Sequence, residues 1–233
     1  IQGPLPIPSG PFPVFLFPSV TSPYLLILRS GSVLSPPRDK NPFKIIWAND
    51  INEKATLTQK LNFKNINVVC QDITKILDER NSKQMSLFDN ELKLPSYADV
   101  VIGGFPCQDF SLAGKRQGLN VQRGKLYQSM ARVIELLKPK VFLAENVKGL
   151  ISWENGMAIK TIVEDFSKLG YTVKYKLFNT ADYGVPQTRE RVIIVGVRND
   201  LKSEIQWPKP THSNNDVNLK PWLTIKDAIG DLE

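Results

Sequence analysis

From residue 43 onward, short apolar runs alternate with stretches whose apolar residues fall three or four apart. "FKIIWAND" (43–50), "INVVCQD" (66–72), "ADVVIGG" (98–104) and "KVFLAEN" (140–146) have strand length and are rich in β-branched residues. Between them, "INEKATLTQKLNF" shows helical spacing through Ile51, Ala55, Leu57 and Leu61, and "ITKILDER" reads as a short helix. "GKLYQSMARVIELLK" gathers Leu126, Met130, Val133, Ile134 and Leu137 on one helical face. "MAIKTIVEDFSKLG" predicts a further helix stopped by Gly170, and "SKQMSLFDNELKLPSY" a polar loop. "YTVKYKLFN" (171–179) and "RERVIIVGVR" (189–198) predict two closing strands. Strands alternating with helices predict an α/β fold, a parallel sheet with helices on both faces. There is no internal repeat.

The first 42 residues break this pattern. "IQGPLPIPSGPFPVFLFPSVTSPYLLIL" has no Asp, Glu, Lys or Arg, and ten of the 17 prolines lie between Pro4 and Pro42. A signal peptide needs a positive first region, and a membrane helix needs a continuous apolar helix that these prolines interrupt. The segment reads as irregular, extended chain with one possible strand, "YLLIL". The first residue is not Met, which fits a fragment or a processed chain.

In doubly wound sheets, reactive groups collect at the carboxyl ends of the strands. Here those ends offer Asp50, Asp72, Cys107 just after the third strand, and Glu145. An acid after a strand is often only a helix N-cap, and that reading stays open for Asp50 and Asp72. Cys107 follows Gly103, Gly104 and Pro106, in a turn that exposes a side chain. Cys70 reads as a small buried hydrophobe. A nucleophilic thiol needs its thiolate favoured, and Arg189 and Arg191, spaced for one strand face, are candidate sources of positive potential.

Composition narrows the picture further. Two cysteines and one histidine, His212, cannot supply a Cys/His zinc site, so no metal is expected. No disulfide framework is indicated, and reduced thiols of a cytoplasmic protein are expected. The net charge of +7 leans towards an anionic partner, nucleic acid above all, although a basic protein without such a partner has the same charge. No membrane partner is expected.

"GGFPCQDFS" (103–111), "LAENVKGL" (143–150) and "DYGVPQTRERVIIVGVR" (182–198) resemble signature stretches of the DNA (cytosine-5)-methyltransferases. They stand in that family's order as its Pro-Cys-Gln, Glu-Asn-Val and Gln-x-Arg-x-Arg motifs. "WANDINEKA" (47–55) resembles its second cofactor stretch, "CQDI" (70–73) its third, and "GKLY" (124–127) the segment after its catalytic loop. The resemblance implies the Rossmann-like fold of S-adenosylmethionine-dependent methyltransferases: doubly wound, mostly parallel, with an antiparallel strand near the end. It makes residues 43–200 the catalytic domain and 201–233 the start of a connection towards a target-recognition region.

The implied chemistry suits the residues. Cytosine carbon 5 is too weak a nucleophile to take a methyl group unaided, and a Cys107 thiolate adding at carbon 6 turns the ring into an enamine. Glu145 would share a proton with ring nitrogen 3, Arg191 and Arg189 would hold the base carbonyl oxygen, and Asn146 would fix local geometry. The methyl donor would be S-adenosylmethionine, held by Asp50, Ile51, Asp72, Ile73, Gly104, Pro106 and Leu126. The partner would be double-stranded DNA in a restriction–modification setting, with the target base flipped out. "SLAGKRQGLNVQRGK" (111–125) would be the mobile loop that closes over it.

Two departures stand out. The family's opening strand and glycine turn have "LLILRSGSVLSPPRDKNPFK" (25–44) in their place, with Gly31 but no glycine cluster, so residues 1–42 look unrelated and cofactor binding is expected to be weak. "PWLTIKDAIGDLE" resembles the run before the recognition region, so either the chain is cut short there or a second polypeptide supplies that region. The alternatives are an inactive relic or subunit of such an enzyme, a transfer-RNA cytosine-5 methyltransferase, and a non-catalytic nucleic-acid-binding module.

Overall fold

The computed structural model describes residues 24–30, 43–63, 65–81, 94–105 and 125–231. Each apolar run is a strand: β1 Tyr24–Ser30, β2 Phe43–Asp50, β3 Asn67–Cys70, β4 Val100–Gly104, β5 Val141–Val147, β6 Tyr171–Asn179 and β7 Glu190–Arg198. The helices are α1 Glu53–Asn62, α2 Ile73–Asn81, α3 Lys125–Leu137, the single turn α4 Gly149–Ser152, α5 Met157–Lys168 and the short α6 Ile225–Ile229. The strands form one sheet in the order β3-β2-β1-β4-β5-β7-β6. Of the expected polar loop at 82–97, residues 82–93 lie outside the described residues, and 94–97 are in neither helix nor strand.

The main core lies on one face of the sheet. Ile27, Trp47, Val101, Phe142 and Ala144 point there from the strands and meet α2, α3 and α5 through Ile76, Val133, Ile134, Ile159, Ile162 and Phe166. The predicted apolar face of α3 is the buried one, with Met130, Val133, Ile134 and Leu137 all inside. Neighbouring strand residues face opposite ways, so the second face carries a separate, smaller cluster: Ile102 with Leu26, Ile45, Val100 and Leu143. No helix contributes to it among the described residues, so the expected cover on both faces is unequal.

Three other expectations are corrected. The sheet is mixed: β7 is antiparallel to β5 and β6 as foreseen, but β1 is also antiparallel to both of its neighbours, β2 and β4. The apolar residues around α1 are not its inner face, since Ile51, Leu57 and Leu61 are 52%, 58% and 70% exposed and Thr56 is buried instead. This short helix packs on the edge pair β2 and β3, where there is little sheet to cover. Cys70 is exposed rather than packed, because it ends the edge strand β3 with its side chain directed away from buried Val69.

Phe142 is enclosed by aromatic rings and by the opposite strand. Its ring lies 4.7 Å from that of Phe166 and 5.3 Å from that of Tyr171 between centroids. Burial pushes the Tyr171 hydroxyl up to about 12, and that group donates to the Pro139 carbonyl at 2.6 Å. Opposite Phe142 in the ladder is Gly196, where a Cβ would fall 2.0 Å from a ring carbon of Phe142. The ring cannot retreat, so we expect Gly196→Ala to destabilise the fold by about 3 kcal/mol, the upper range for an overpacked core. A urea midpoint equal to that of the parent chain would refute this account of the position.

Candidate active site

The carboxyl ends of β2, β3, β4 and β5 lie along one edge of the sheet, as parallel directions require. Asp50 ends β2 and is fully buried; its Oδ1 accepts from the Asn52 N–H at 2.8 Å. Asn52, not Asp50, caps α1, accepting from Lys54 and Ala55. Asp72 does act as a cap: its Oδ1 accepts from the N–H and the hydroxyl of Thr74 at the start of α2. Ile73 is buried beneath it, whereas Ile51 stands half exposed on the site edge.

Glu145 lies two residues before the end of β5, in register with Gly104, the last residue of β4. On its other side β5 pairs with β7, setting Glu145 opposite Ile193 and Val147 opposite Arg191. Alternation puts Glu145 and Arg191 on one face as diagonal neighbours. Arg191 Nε lies 2.8 Å from Glu145 Oε1, a close ion pair whose N–H is not aligned on the oxygen, and Arg191 Nη1 donates to the Glu190 carbonyl. Glu145 is 9% exposed, so the pair is largely shielded from water. A second pair, Lys148 with Glu190 at 2.8 Å, joins the residue after β5 to the first residue of β7 nearer solvent.

The two arginines do not share a strand face. Arg189 precedes β7, in the loop after β6, where its N–H donates to Asn179 Oδ1 and its carbonyl accepts from the Thr180 N–H. Pro106, Cys107 and the loop at 111–124 lie outside the described residues, as does the side chain of Leu126. The last described residue before Cys107 is Phe105. Its carbonyl accepts from buried Asn146 Nδ2 at 2.8 Å, tying the exit of β4 to the residue after Glu145.

Two structural contributors were not picked out from sequence. Asn49 is buried, and its Nδ2 donates to the carbonyls of Val69 and Gln71, which fixes the turn carrying Asp72. Asparagine is rare inside a strand, so its place directly before Asp50 was the available signal. The other is the chain after β7, which folds back on the arginine loop and is described below.

The model of C-5 cytosine-specific DNA methylases matches residues 34–233. The chain belongs to the C-5 cytosine-specific DNA methylase family. Type II methyltransferase M.NgoFVII of Neisseria gonorrhoeae is 42% identical over 188 residues, covering 80% of this chain and 47% of that protein. Type II methyltransferase M.BspRI of Lysinibacillus sphaericus is 40% identical over 213 residues, 91% of this chain and 46% of that one. The crystal structure of an E. coli prophage protein described as a DNA modification methyltransferase superposes with a TM-score of 0.57 at 26% identity, covering 80% of this chain and 48% of the other. The chain thus spans about half the length of the curated relatives it matches. The family match begins after β1, so the reversed strand precedes the matched stretch.

The family implies S-adenosylmethionine as cofactor, and the residues fit it unevenly. Half-exposed Ile51 and Asp72 stand with buried Asp50 and Ile73 at adjacent strand ends, where two carboxylates lie close to apolar side chains, although Asp50 has no exposed surface. The next slot is different. There β1 brings its amino end, Tyr24, between Asp50 and Gly104, rather than a carboxyl end that could turn into a helix. The donor side for an amino-acid carboxylate is therefore not built by β1.

Proposed function

We propose that this chain is the catalytic portion, residues 43–200, of a DNA cytosine-5 methyltransferase that modifies a flipped cytosine through a covalent adduct at Cys107. The observation that supports this most is the Glu145–Arg191 pair beside the exit of β4, in a member of the cytosine methylase family. Cytosine nitrogen 3 and its carbonyl oxygen are adjacent on one ring edge. A carboxyl and a guanidinium 2.8 Å apart form a matching edge. As the Cys107 thiolate adds at carbon 6, charge moves onto nitrogen 3, where Glu145 holds the proton. Arg191 stabilises the charge at the oxygen. S-adenosylmethionine supplies the methyl group when bound, and loss of the carbon-5 proton with release of the Cys107 thiolate from carbon 6 restores the ring. Asn146 holds the Phe105 carbonyl, the last described backbone group before Cys107.

The partner in this reading is double-stranded DNA, and the setting is a restriction–modification system in the cytoplasm. Among the described residues no helix is long and apolar enough to cross a membrane. Residues 201–233 begin the connection to a target-recognition region, supplied by continuing chain or by a second polypeptide. The test is methyl transfer to duplex DNA, with that region added, read as 5-methylcytosine by mass spectrometry. We expect Glu145→Gln, which keeps the shape but not the acid, to slow the chemical step about a hundredfold. Near-parental turnover in single-turnover kinetics would remove Glu145 from the mechanism.

A further inference from the structure

After β7 the chain turns back onto the loop that delivers the two arginines. That loop, between Asn179 and Glu190, is closed by its own bonds. Asn179 Oδ1 accepts from Ala181 and Arg189, and Thr180 Oγ1 donates to the Gln187 carbonyl at 2.6 Å. These bonds, with the Asn179–Glu190 pair that ends the β6–β7 ladder, fix the base of the loop. Its tip is held by contacts from the returning chain.

Those contacts converge on Asp182. Its carbonyl accepts from the N–H groups of Thr211 and His212, at 2.9 and 3.0 Å. Its carboxylate Oδ1 accepts from Trp222 Nε1 at 3.1 Å, across 40 residues of chain. One residue therefore receives three donors from two separate places on the returning segment. The neighbours add to this: Tyr183 donates its hydroxyl to the Pro208 carbonyl, and the Trp207 ring meets Phe178 edge-on at 5.5 Å. His212 lies against Gly184, which has a φ of +81° and would place a Cβ 2.7 Å from the imidazole. Gly184 is thus required both for the turn and for the close approach of the ring.

We propose that Asp182 is a positioning residue for the arginine loop, and that its carboxylate bond to Trp222 clamps the returning segment so that Arg191 stays aimed at Glu145. The consequence for catalysis rests on the methyl-transfer reading; the geometry does not. Asp182 touches no reacting group. It acts through the loop, whose far limb runs directly into β7 and Arg191. A bond between a carboxylate and an indole N–H is charge-assisted and directional, which suits it to hold one geometry.

The test uses the chain as it stands, labelled with nitrogen-15, and reads the Nε–H resonance of Arg191 without DNA or cofactor. Trp222→Phe keeps the ring but deletes the donor. Asp182→Ala deletes the acceptor, while Asp182→Asn keeps an oxygen at the same place. We expect Trp222→Phe and Asp182→Ala each to shift the Arg191 signal and raise its solvent-exchange rate about tenfold. The double variant should add nothing further, and Asp182→Asn should restore the parental signal. Backbone amides of β5 and α5 report whether each variant remains folded, and Asp182→Asn with Trp222→Phe carries the comparison if Asp182→Ala does not fold. An Arg191 signal unmoved in folded Trp222→Phe, or effects that add in the double variant, would overturn the proposal. Because the readout needs no turnover, a failure here leaves methyl transfer untouched, and an inactive chain leaves this result readable.

Discussion

Cys107→Ser is expected to end methyl transfer, with a rate loss on the order of a thousandfold or more, the scale seen when a covalent nucleophile is removed. The sulfur matters because a thiolate is accessible near neutral pH while a serine alkoxide is not. Cytosine carbon 6 is a poor electrophile, so a neutral hydroxyl will not add to it. The change is small, so stability should move little. The described contacts nearest to Cys107 do not involve the thiol: the Asn146 bond to the Phe105 carbonyl and the pairing of Gly104 with Glu145 hold the end of β4. The measurement is trapping on duplex DNA containing 5-fluorocytosine, with the recognition region supplied. The parent chain should give an adduct stable to denaturant, detected by intact mass, and Cys107→Ser should give none. An adduct that persists in the variant would place the nucleophile elsewhere. Loss of trapping together with loss of folding would point instead to a structural thiol, which a thermal melt distinguishes.

Much of this site was readable in sequence because it lies where a period changes. Asp50, Asp72 and Glu145 each stand where an apolar run ends, and in a sheet of like-directed strands such ends share one edge. Glu145 with Arg191 could be foreseen as chemistry but not as a contact. Their pairing depends on the β5–β7 register, which no local pattern encodes. Arg189 was misplaced for a related reason: two residues of spacing suggest one strand face, but β7 starts at Glu190 and leaves Arg189 in the loop. The exposed apolar residues of α1 misled because helical spacing says nothing about how much sheet is available to be covered. The clamp at Asp182 left little trace, since two of its three bonds fall on a backbone carbonyl, which every residue has. The sharp change of texture near Pro42 did survive into three dimensions. It separates β2, which runs with the sheet, from β1, which runs against it.

That reversal governs the prediction about cofactor affinity. The slot between β2 and β4 is central, and its occupant is well buried, as Ile27 shows at full burial. An apolar run is enough to fill it, and "YLLILRS" does so in the antiparallel sense, with a bulge between Ile27 and Leu28. Filling the slot satisfies the ladders of both neighbours but does not fulfil the second task of a strand in that place. A parallel strand would end at the site edge and turn there into a helix. Its glycines would let the backbone approach a ligand, and its first N–H groups would face an anionic carboxylate. The amino end of β1, at Tyr24, offers none of this. Each charge-assisted bond lost is worth about 1.5–3 kcal/mol, so the loss of two such bonds weakens binding by about a hundredfold or more. The adenosine side keeps Asp50, Ile51, Asp72 and Ile73, so some affinity should remain. We therefore expect this chain to bind S-adenosylmethionine more weakly than micromolar in calorimetry. Replacing residues 1–42 with a parallel strand and a Gly-x-Gly turn should recover micromolar binding, and changing Asp50 to Ala in that chimera should lower it again. Tight binding by the chain as it stands would mean that the cofactor does not need a carboxyl-ended strand in the central slot. The reversed β1 would then be a working part of the site rather than a filler of the sheet.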